Sequence, residues 1–312
     1  MKDLSKTFSS APWCFNGHAH TVLCSLIFQS APVHYKSLRI DTPEGDFLEI
    51  DYVEGSKEDA VAVLFHGLEG HTRRYYITQL AEKLLKHGFT VIAVNFRGCG
   101  STMNQTKKFY HSGETEDLQT VFAWAEQQFP GRELHAAGFS LGASALLNYL
   151  KEHGTHHPLK STAVISTPFE LKKGSLNLEK GFNRIYSIRF LRTLVQKLEE
   201  KRKVIPDLPI FKGSTLYEFD DQVTAKIHGF ESADDYYHRC SSSLFMDQIK
   251  TPVLVVHSEE DPMCPFEWTP LSAIRENPVL TECFTRRGGH VGFWSLPPGW
   301  LNNTVVKYFL EN

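Results

Sequence analysis

The chain has 312 residues, with 33 Lys+Arg against 36 Asp+Glu and a formal charge of −3 when its 15 histidines are neutral. Nucleic-acid binders normally carry a basic excess, so this balance argues against one. With 41% hydrophobic and 22% charged residues the composition is that of a globular protein, which excludes disorder, collagen and coiled coil as the main architecture.

The N-terminus opens Met1-Lys2-Asp3 with no continuous apolar leader. Val22 to Phe28 reads as buried packing and is far short of the roughly 20 residues a membrane span needs. The six cysteines, Cys14, Cys24, Cys99, Cys240, Cys264 and Cys283, form no CxxC pair, which suits a reducing compartment better than a disulfide framework. A soluble, cytoplasmic protein is expected. Residues 37–41 and 47–53 flank Pro43-Glu44-Gly45 and read as a hairpin. Ala60 to Phe65 is a continuous apolar run, suited to a strand buried on both faces. Residues 75–87 place Ile77, Leu80, Ala81, Leu84 and Leu85 on one helical face, and Gly88 ends that helix. Thr90 to Asn95 is the next buried strand, and 114–128 the next amphipathic helix. A strand over Leu134 to Phe139, a helix over 141–152 and a strand over Ser161 to Ser166 follow. Val253 to His257 and Val279 to Phe284 read as strands, and Pro298 opens a last helix that buries Leu301, Val305, Val306 and Phe309. Strand alternating with helix predicts an α/β fold: a mostly parallel sheet with helices on both faces. Residues 168–248 break the alternation and are too long for a plain crossover. They are expected to be a helical cap inserted into a core of residues 1–167 and 249–312.

The motif richest in chemistry is Gly138-Phe139-Ser140-Leu141-Gly142. A G-x-S-x-G arises by chance about once in ten chains of this glycine content, so the pattern alone is weak. Its context gives it meaning: a predicted strand ends at Phe139 and a predicted helix starts near Leu141. A serine on such a tight turn is pushed out of the sheet with its oxygen exposed. A serine nucleophile needs a base, and the base needs a partner. His290, within Gly288-Gly289-His290-Val291-Gly292 after the last strand, is the candidate base. The acid should follow an earlier strand, and Glu259-Glu260-Asp261-Pro262 does. Asp261 is favoured because Pro262 fixes the turn after it; Glu259 and Glu260 remain alternatives. The developing oxyanion would be met by the backbone N–H of Leu141 and by that of Leu68 in His66-Gly67-Leu68-Glu69-Gly70. His66 itself reads as a structural hydrogen-bonder.

Ordered motifs along most of the chain sharpen this reading. They are Asn16-Gly17-His18 with His20-Thr21, His66 to Gly70, and Asn95-Phe96-Arg97-Gly98-Cys99-Gly100. Phe109-Tyr110-His111-Ser112-Gly113, the elbow, Glu218-Phe219-Asp220-Asp221, Asp261-Pro262 and Gly288 to Phe293 complete the set. From about Ala11 to the C-terminus the chain resembles the YheT-like branch of the α/β-hydrolases, a group of serine carboxylesterases. The resemblance implies an α/β-hydrolase fold and a triad of Ser140, Asp261 and His290, with no metal or organic cofactor. It implies hydrolysis of carboxylic esters, lipid or acylglycerol-like esters among them, through an acyl-enzyme. Acyl transfer or thioester hydrolysis on the same triad is the alternative, and a non-catalytic binding protein is the alternative of another class. Two departures are visible: His18-Ala19-His20-Thr21 stands where the family often has His-Leu-Gln-Thr, and Ala143 where it often has a second glycine.

Three further features need a reading. Cys14, His18, His20 and Cys24 are spaced C-x₃-H-x-H-x₃-C, which is not the usual pairing of zinc ligands, so no metal is expected there. Arg97 and Glu114 read as an ion pair or helix cap. Residues 170–203 hold ten Lys/Arg and four Asp/Glu, while 207–247 hold three and eight. Within the basic half Phe190, Leu191, Leu194, Val195 and Leu198 form a helical stripe. It reads as a surface helix packed on the core; the alternative is a peripheral membrane contact with anionic lipid.

Overall fold

The computed structural model describes residues 4–57 and 59–312. Eight strands form one sheet in the order β1-β2-β4-β3-β5-β6-β7-β8. They are β1 (Lys36–Asp41), β2 (Phe47–Val53), β3 (Ala60–Phe65), β4 (Thr90–Asn95), β5 (Glu133–Phe139), β6 (Leu159–Ile165), β7 (Val253–Ser258) and β8 (Leu280–Thr285). β2 is antiparallel to β1 and to β4, and every other neighbouring pair is parallel. The helices are α1 (Gly17–Ile27), α2 (Tyr75–Lys86), α3 (Glu116–Gln128), α4 (Leu141–His153), α5 (Leu171–Leu178), α6 (Arg184–Arg202), α7 (Leu216–Phe219), α8 (Ala225–His228), α9 (Ala233–Cys240), α10 (Leu271–Glu276) and α11 (Trp300–Glu311).

The apolar runs of β3 and β4 are buried along their whole length because helices cover both faces of the sheet. Alternation assigns the faces. Val61, Val63 and Phe65 pack with Phe122 of α3 and Leu146 of α4, whereas Ala60, Ala62 and Leu64 pack with Leu80 of α2 and Val305 of α11.

Several expected boundaries move, each for a local reason. β6 stops at Ile165 because Ser166 takes φ +53° and leaves the strand. α11 starts at Trp300, not Pro298, because Gly299 between them is left-handed at φ +89°. α3 starts at Glu116, and Glu114 stands just outside it, accepting the Asp117 N–H. The expected Arg97–Glu114 link resolves into two separate devices: Glu114 caps the helix, and Arg97 pairs with Asp117, Asp46 and Glu44. Val22 to Phe28 is not a buried segment. Its residues continue α1, whose Asn16 cap accepts the Ala19 N–H, and Leu26 and Ile27 stand in solvent.

Between β6 and β7, residues 168–248 carry α5 to α9. Their packing settles the face of α6. Leu198 is fully buried, Leu191, Leu194 and Val195 pack on the same cluster, and Phe190 joins Tyr186, Met263 and Cys264. The apolar stripe therefore faces the protein and is not a lipid-facing surface. Lys201 on α6 is buried, and its Nζ donates to Asn104 Oδ1 at 2.9 Å and to the Lys108 carbonyl. Among the described residues no helix is long and apolar enough to cross a membrane.

Burial holds the imidazoles of His66 and His111 down to about 3, and those of His20 and His135 to about 4. An unfolded chain binds protons on these groups below about pH 6.5 while the native state does not, so stability falls as pH drops through that range. Glu114, raised to about 8, and Asp220, raised to about 6, are pushed up by burial and act in the opposite sense, but they are fewer. The thermal midpoint should therefore fall between pH 7 and pH 5. A midpoint that held or rose would mean that these imidazoles are not kept neutral.

Candidate active site

β5 ends at Phe139, and α4 begins one residue past Ser140. Ser140 alone makes that turn, at φ +53° and ψ −117°, a conformation costly for any residue with a side chain. Its N–H donates to the Ile165 carbonyl at 2.8 Å, which pins the turn to the end of β6. The flanking glycines are demanded by space: a Cβ on Gly138 would fall 2.5 Å from the Gly142 carbonyl oxygen, and one on Gly142 would fall 2.6 Å from that of His66.

His290 Nε2 lies 2.8 Å from Ser140 Oγ, and His290 Nδ1 lies 3.0 Å from Asp261 Oδ2. The other Asp261 oxygen accepts the N–H groups of Met263 and Cys264 at 2.9 and 3.0 Å. Burial acts to raise the Asp261 carboxyl. The His290 and His257 rings, the His290 hydrogen bond and the Cys264 amide outweigh it and hold the group below the usual carboxylate range. A carboxylate that accepts from Nδ1–H leaves Nε2 as the lone-pair nitrogen facing the serine. Asp261, favoured in the sequence, is the acid in contact with the histidine. Glu260 instead faces Arg287 at 3.9 Å.

Leu68 and Leu141 both line the cavity beside Ser140. Neighbouring amides of the first loop are occupied: Gly67 N–H donates to the Tyr76 hydroxyl and Glu69 N–H to the Tyr110 hydroxyl. Among the described residues the Leu68 and Leu141 N–H groups have no acceptor, which leaves them available to an anionic oxygen. His66 acts as a brace: Nδ1 reaches the Gly67 carbonyl at 2.8 Å, and Nε2 accepts the Phe96 N–H at 3.2 Å.

The sequence motif around Asn16 to Thr21 had no assigned work, and the structure supplies some. Thr21 Oγ1 accepts the His290 N–H at 2.9 Å and donates to the Gly17 carbonyl at 2.8 Å. Contact here leaves no room for side chains. A Cβ on Gly289 would lie 2.5 Å from Thr21 Oγ1, and one on Gly17 would lie 1.7 Å from the Glu260 carbonyl oxygen. α1 is thus wedged against both the acid loop and the histidine loop. Ser166 Oγ takes the next amide, that of Val291, at 3.0 Å. The four N-terminal metal-type side chains do not converge: His18 bonds Tyr186 Oη, and His20 bonds Ser10 Oγ and the Trp294 N–H.

Ser140 opens onto a cavity that is continuous with solvent. Leu171, Leu178, Phe190, Leu194, Phe219 and Val223 of the 168–248 segment form much of its wall. His111, Asp220 and His228 line it as well, so two sequence motifs left without a role, 109–113 and 218–221, meet on one cavity. Lys197 is a second residue the sequence did not single out for the site. Its Nζ pairs with Glu69 at 2.9 Å, joining α6 to the loop that presents Leu68.

Residues 61–295 match the family model for the alpha/beta hydrolase fold. The chain therefore belongs to that family. Within it, the chain is 33% identical to YheT of Escherichia coli (strain K12), over 94% of this chain and 90% of that one, which places it in the YheT-like branch. A phospholipase, ABHD3 of Homo sapiens, is 29% identical over 99% of this chain and 79% of its own length. Among solved structures, the Pyrococcus furiosus esterase Pf2001 superposes with a TM-score of 0.63 at 19% identity, covering 89% of this chain and 91% of that one, a likeness of fold.

Thr21→Val would leave the His290 N–H without its acceptor, at a cost of about 1–3 kcal/mol for a buried donor. Amide exchange in residues 288–292 should speed up about tenfold or more, and Thr21→Ser should keep wild-type protection. Unchanged exchange in Thr21→Val would show that α1 does not hold this loop.

Proposed function

We propose that the protein is a serine esterase that cleaves carboxylic esters through an acyl-enzyme, with Ser140 as nucleophile, His290 as base and Asp261 as the group that orients it. The observation that carries this is the continuous chain from Ser140 Oγ through His290 to Asp261, at 2.8 and 3.0 Å. His290 Nε2 takes the hydroxyl proton as Ser140 Oγ attacks the ester carbonyl. Charge gathers on the former carbonyl oxygen, and the free amides of Leu68 and Leu141 meet it. When the tetrahedral species collapses, the bond to the alcohol breaks and His290 gives the proton to the leaving oxygen. A water then yields its proton to His290 and attacks the acyl carbon; the bond to Ser140 Oγ breaks, the acid leaves and His290 returns the proton to the serine oxygen. The apolar wall of the cavity favours esters with an aliphatic acyl chain, lipid or acylglycerol-like esters among them. In this reading residues 1–167 and 249–312 are the catalytic core and 168–248 the cap that shapes the substrate chamber. The relative named a phospholipase and the structural neighbour named an esterase point the same way.

A fluorophosphonate should label the wild type once and folded Ser140→Ala not at all. Asp261→Asn should leave the fold intact and lower kcat on a soluble ester by several orders of magnitude, on the scale of about 10⁴. Persistent labelling of Ser140→Ala, or near-normal turnover in Asp261→Asn, would overturn the assignment.

The triad and two amides supply nucleophile, base and oxyanion donors without a metal. Ester turnover should therefore survive EDTA and dialysis. Turnover lost to the chelator and restored by zinc would move attention to His111, Glu114 and His228, whose ligand-type atoms lie within 4.8 Å of one another.

A further inference from the structure

The inward face of α6 is accounted for by packing, but its outward face is not. Residues 180–192 contain Lys180, Arg184, Arg189 and Arg192 and no Asp or Glu. All four side chains are exposed, and among the described residues none makes an ion pair. Four other cations of the same basic half, Lys172, Lys173, Lys197 and Arg202, each have a carboxylate partner. Phe182, Ile185 and Ile188 stand among the unpaired cations. The spacing 182, 185, 189, 192 puts one mixed stripe of apolar and cationic residues along one helical face.

That stripe continues onto α1. His18 bonds Tyr186 Oη, and its ring packs edge-on against Phe182 at 4.7 Å. On the α1 side of this seam Phe15 and Leu26 project into solvent. Phe15, Leu26, Phe182, Ile185 and Ile188 are each between 52% and 75% exposed. Isolated exposed apolar residues need no explanation, but Phe182, Ile185 and Ile188 stand together on a stretch whose charged residues are all cationic, and that does. Beneath the seam, Tyr186 packs on Met263 and Cys264, and both of those line the cavity that holds Ser140.

We propose that the seam between α1 and the first half of α6 is a docking face for an anionic lipid bilayer. The apolar side chains enter the boundary between headgroups and acyl chains. The Arg and Lys stems lie along them, with their heads among the lipid phosphates. The unpaired cations fix the sign of the surface, and the exposed Phe, Leu and Ile fix its apolar depth. An acidic soluble protein would match the first and not the second. The face is separate from the triad, so it stands or falls independently of the esterase reading. With that reading, it sets the chamber wall directly above the membrane surface from which a lipid ester would come.

The test is co-sedimentation with phosphatidylcholine vesicles, with and without phosphatidylglycerol, at low and high salt. The wild type should pellet with the anionic vesicles, weakly or not at all with the neutral ones, and less as salt screens the contact. Arg189→Glu with Arg192→Glu should weaken anionic binding about tenfold or more. Ile185→Ser with Ile188→Ser should weaken it comparably. Lys83→Glu with Lys86→Glu on α2 is the charge-matched control and should bind like the wild type. All variants should hydrolyse a short soluble ester at the wild-type rate, so a failure of catalysis would show in that assay and a failure of docking only in the pellet. The proposal is overturned if the wild type ignores anionic vesicles or if the seam variants bind as well as the control. A wild-type dimer that Ile185→Ser with Ile188→Ser dissociates would also overturn it, by making the patch a contact between copies.

Discussion

The chain passes from β5 to α4 through a single residue, and the site is organised around that constraint. Such a turn lifts the Ser140 oxygen clear of the sheet, but only if the backbones around it come closer than side chains allow. Gly138 meets the start of α4, and Gly142 meets the loop after β3. The same closeness brings Leu68 beside the serine. The histidine has the harder route. Its loop follows β8, three strands away from β5 in the sheet, and must reach back over the ends of β7 and β6. Each strand end along that route contributes a hold: Asp261 after β7 grips the ring, and Ser166 after β6 grips the Val291 amide. α1 closes the remaining side through Thr21.

The charges of helices α5 to α9 have an internal logic as well as an external one. The basic and acidic halves partly answer one another, as Lys172 of α5 does with Asp234 of α9. Others answer the sheet. Lys197 and Lys201 lie one turn apart on α6 and both point inward, one to a carboxylate and one to neutral oxygens. The two sites differ in kind. Lys197 keeps its charge against Glu69, while burial without a carboxylate in contact pushes the Lys201 ammonium down to about 7. Among the described residues, the cations left without a carboxylate include Lys180, Arg184, Arg189 and Arg192 in and just before the first half of α6.

Strands with continuous apolar runs and helices with clean periodicity were legible because burial imposes those patterns directly. The elbow was legible for a stricter reason: three backbone segments meet there, and two of them need glycine. The clamp by α1 was not legible. Thr21 and Gly17 are ordinary residues in a short segment, and their work depends on partners at the other end of the chain. Val22 to Phe28 misled because hydrophobicity does not reveal which side of a helix the core lies on. The stripe of α6 showed the same ambiguity, and only the packing of Leu198 and Phe190 decided it. Arg97 found Asp117 instead of Glu114 because Glu114 was already needed at the helix start.

The bond between Thr21 and His290 spans 269 positions of the chain. Most of the sheet can pair as it leaves the ribosome, each strand finding a neighbour made shortly before or after it. α1 cannot do so. Its contacts with Glu260 and with the His290 loop need segments made long after it. α1 must therefore wait for those loops, with the sides of His20 and Cys24 that meet Gly292 and Trp294 open until they arrive. Long-range closures of this kind are slow steps that leave apolar surface open meanwhile. The site assembles late, and its geometry is complete only when α1 and the histidine loop have met.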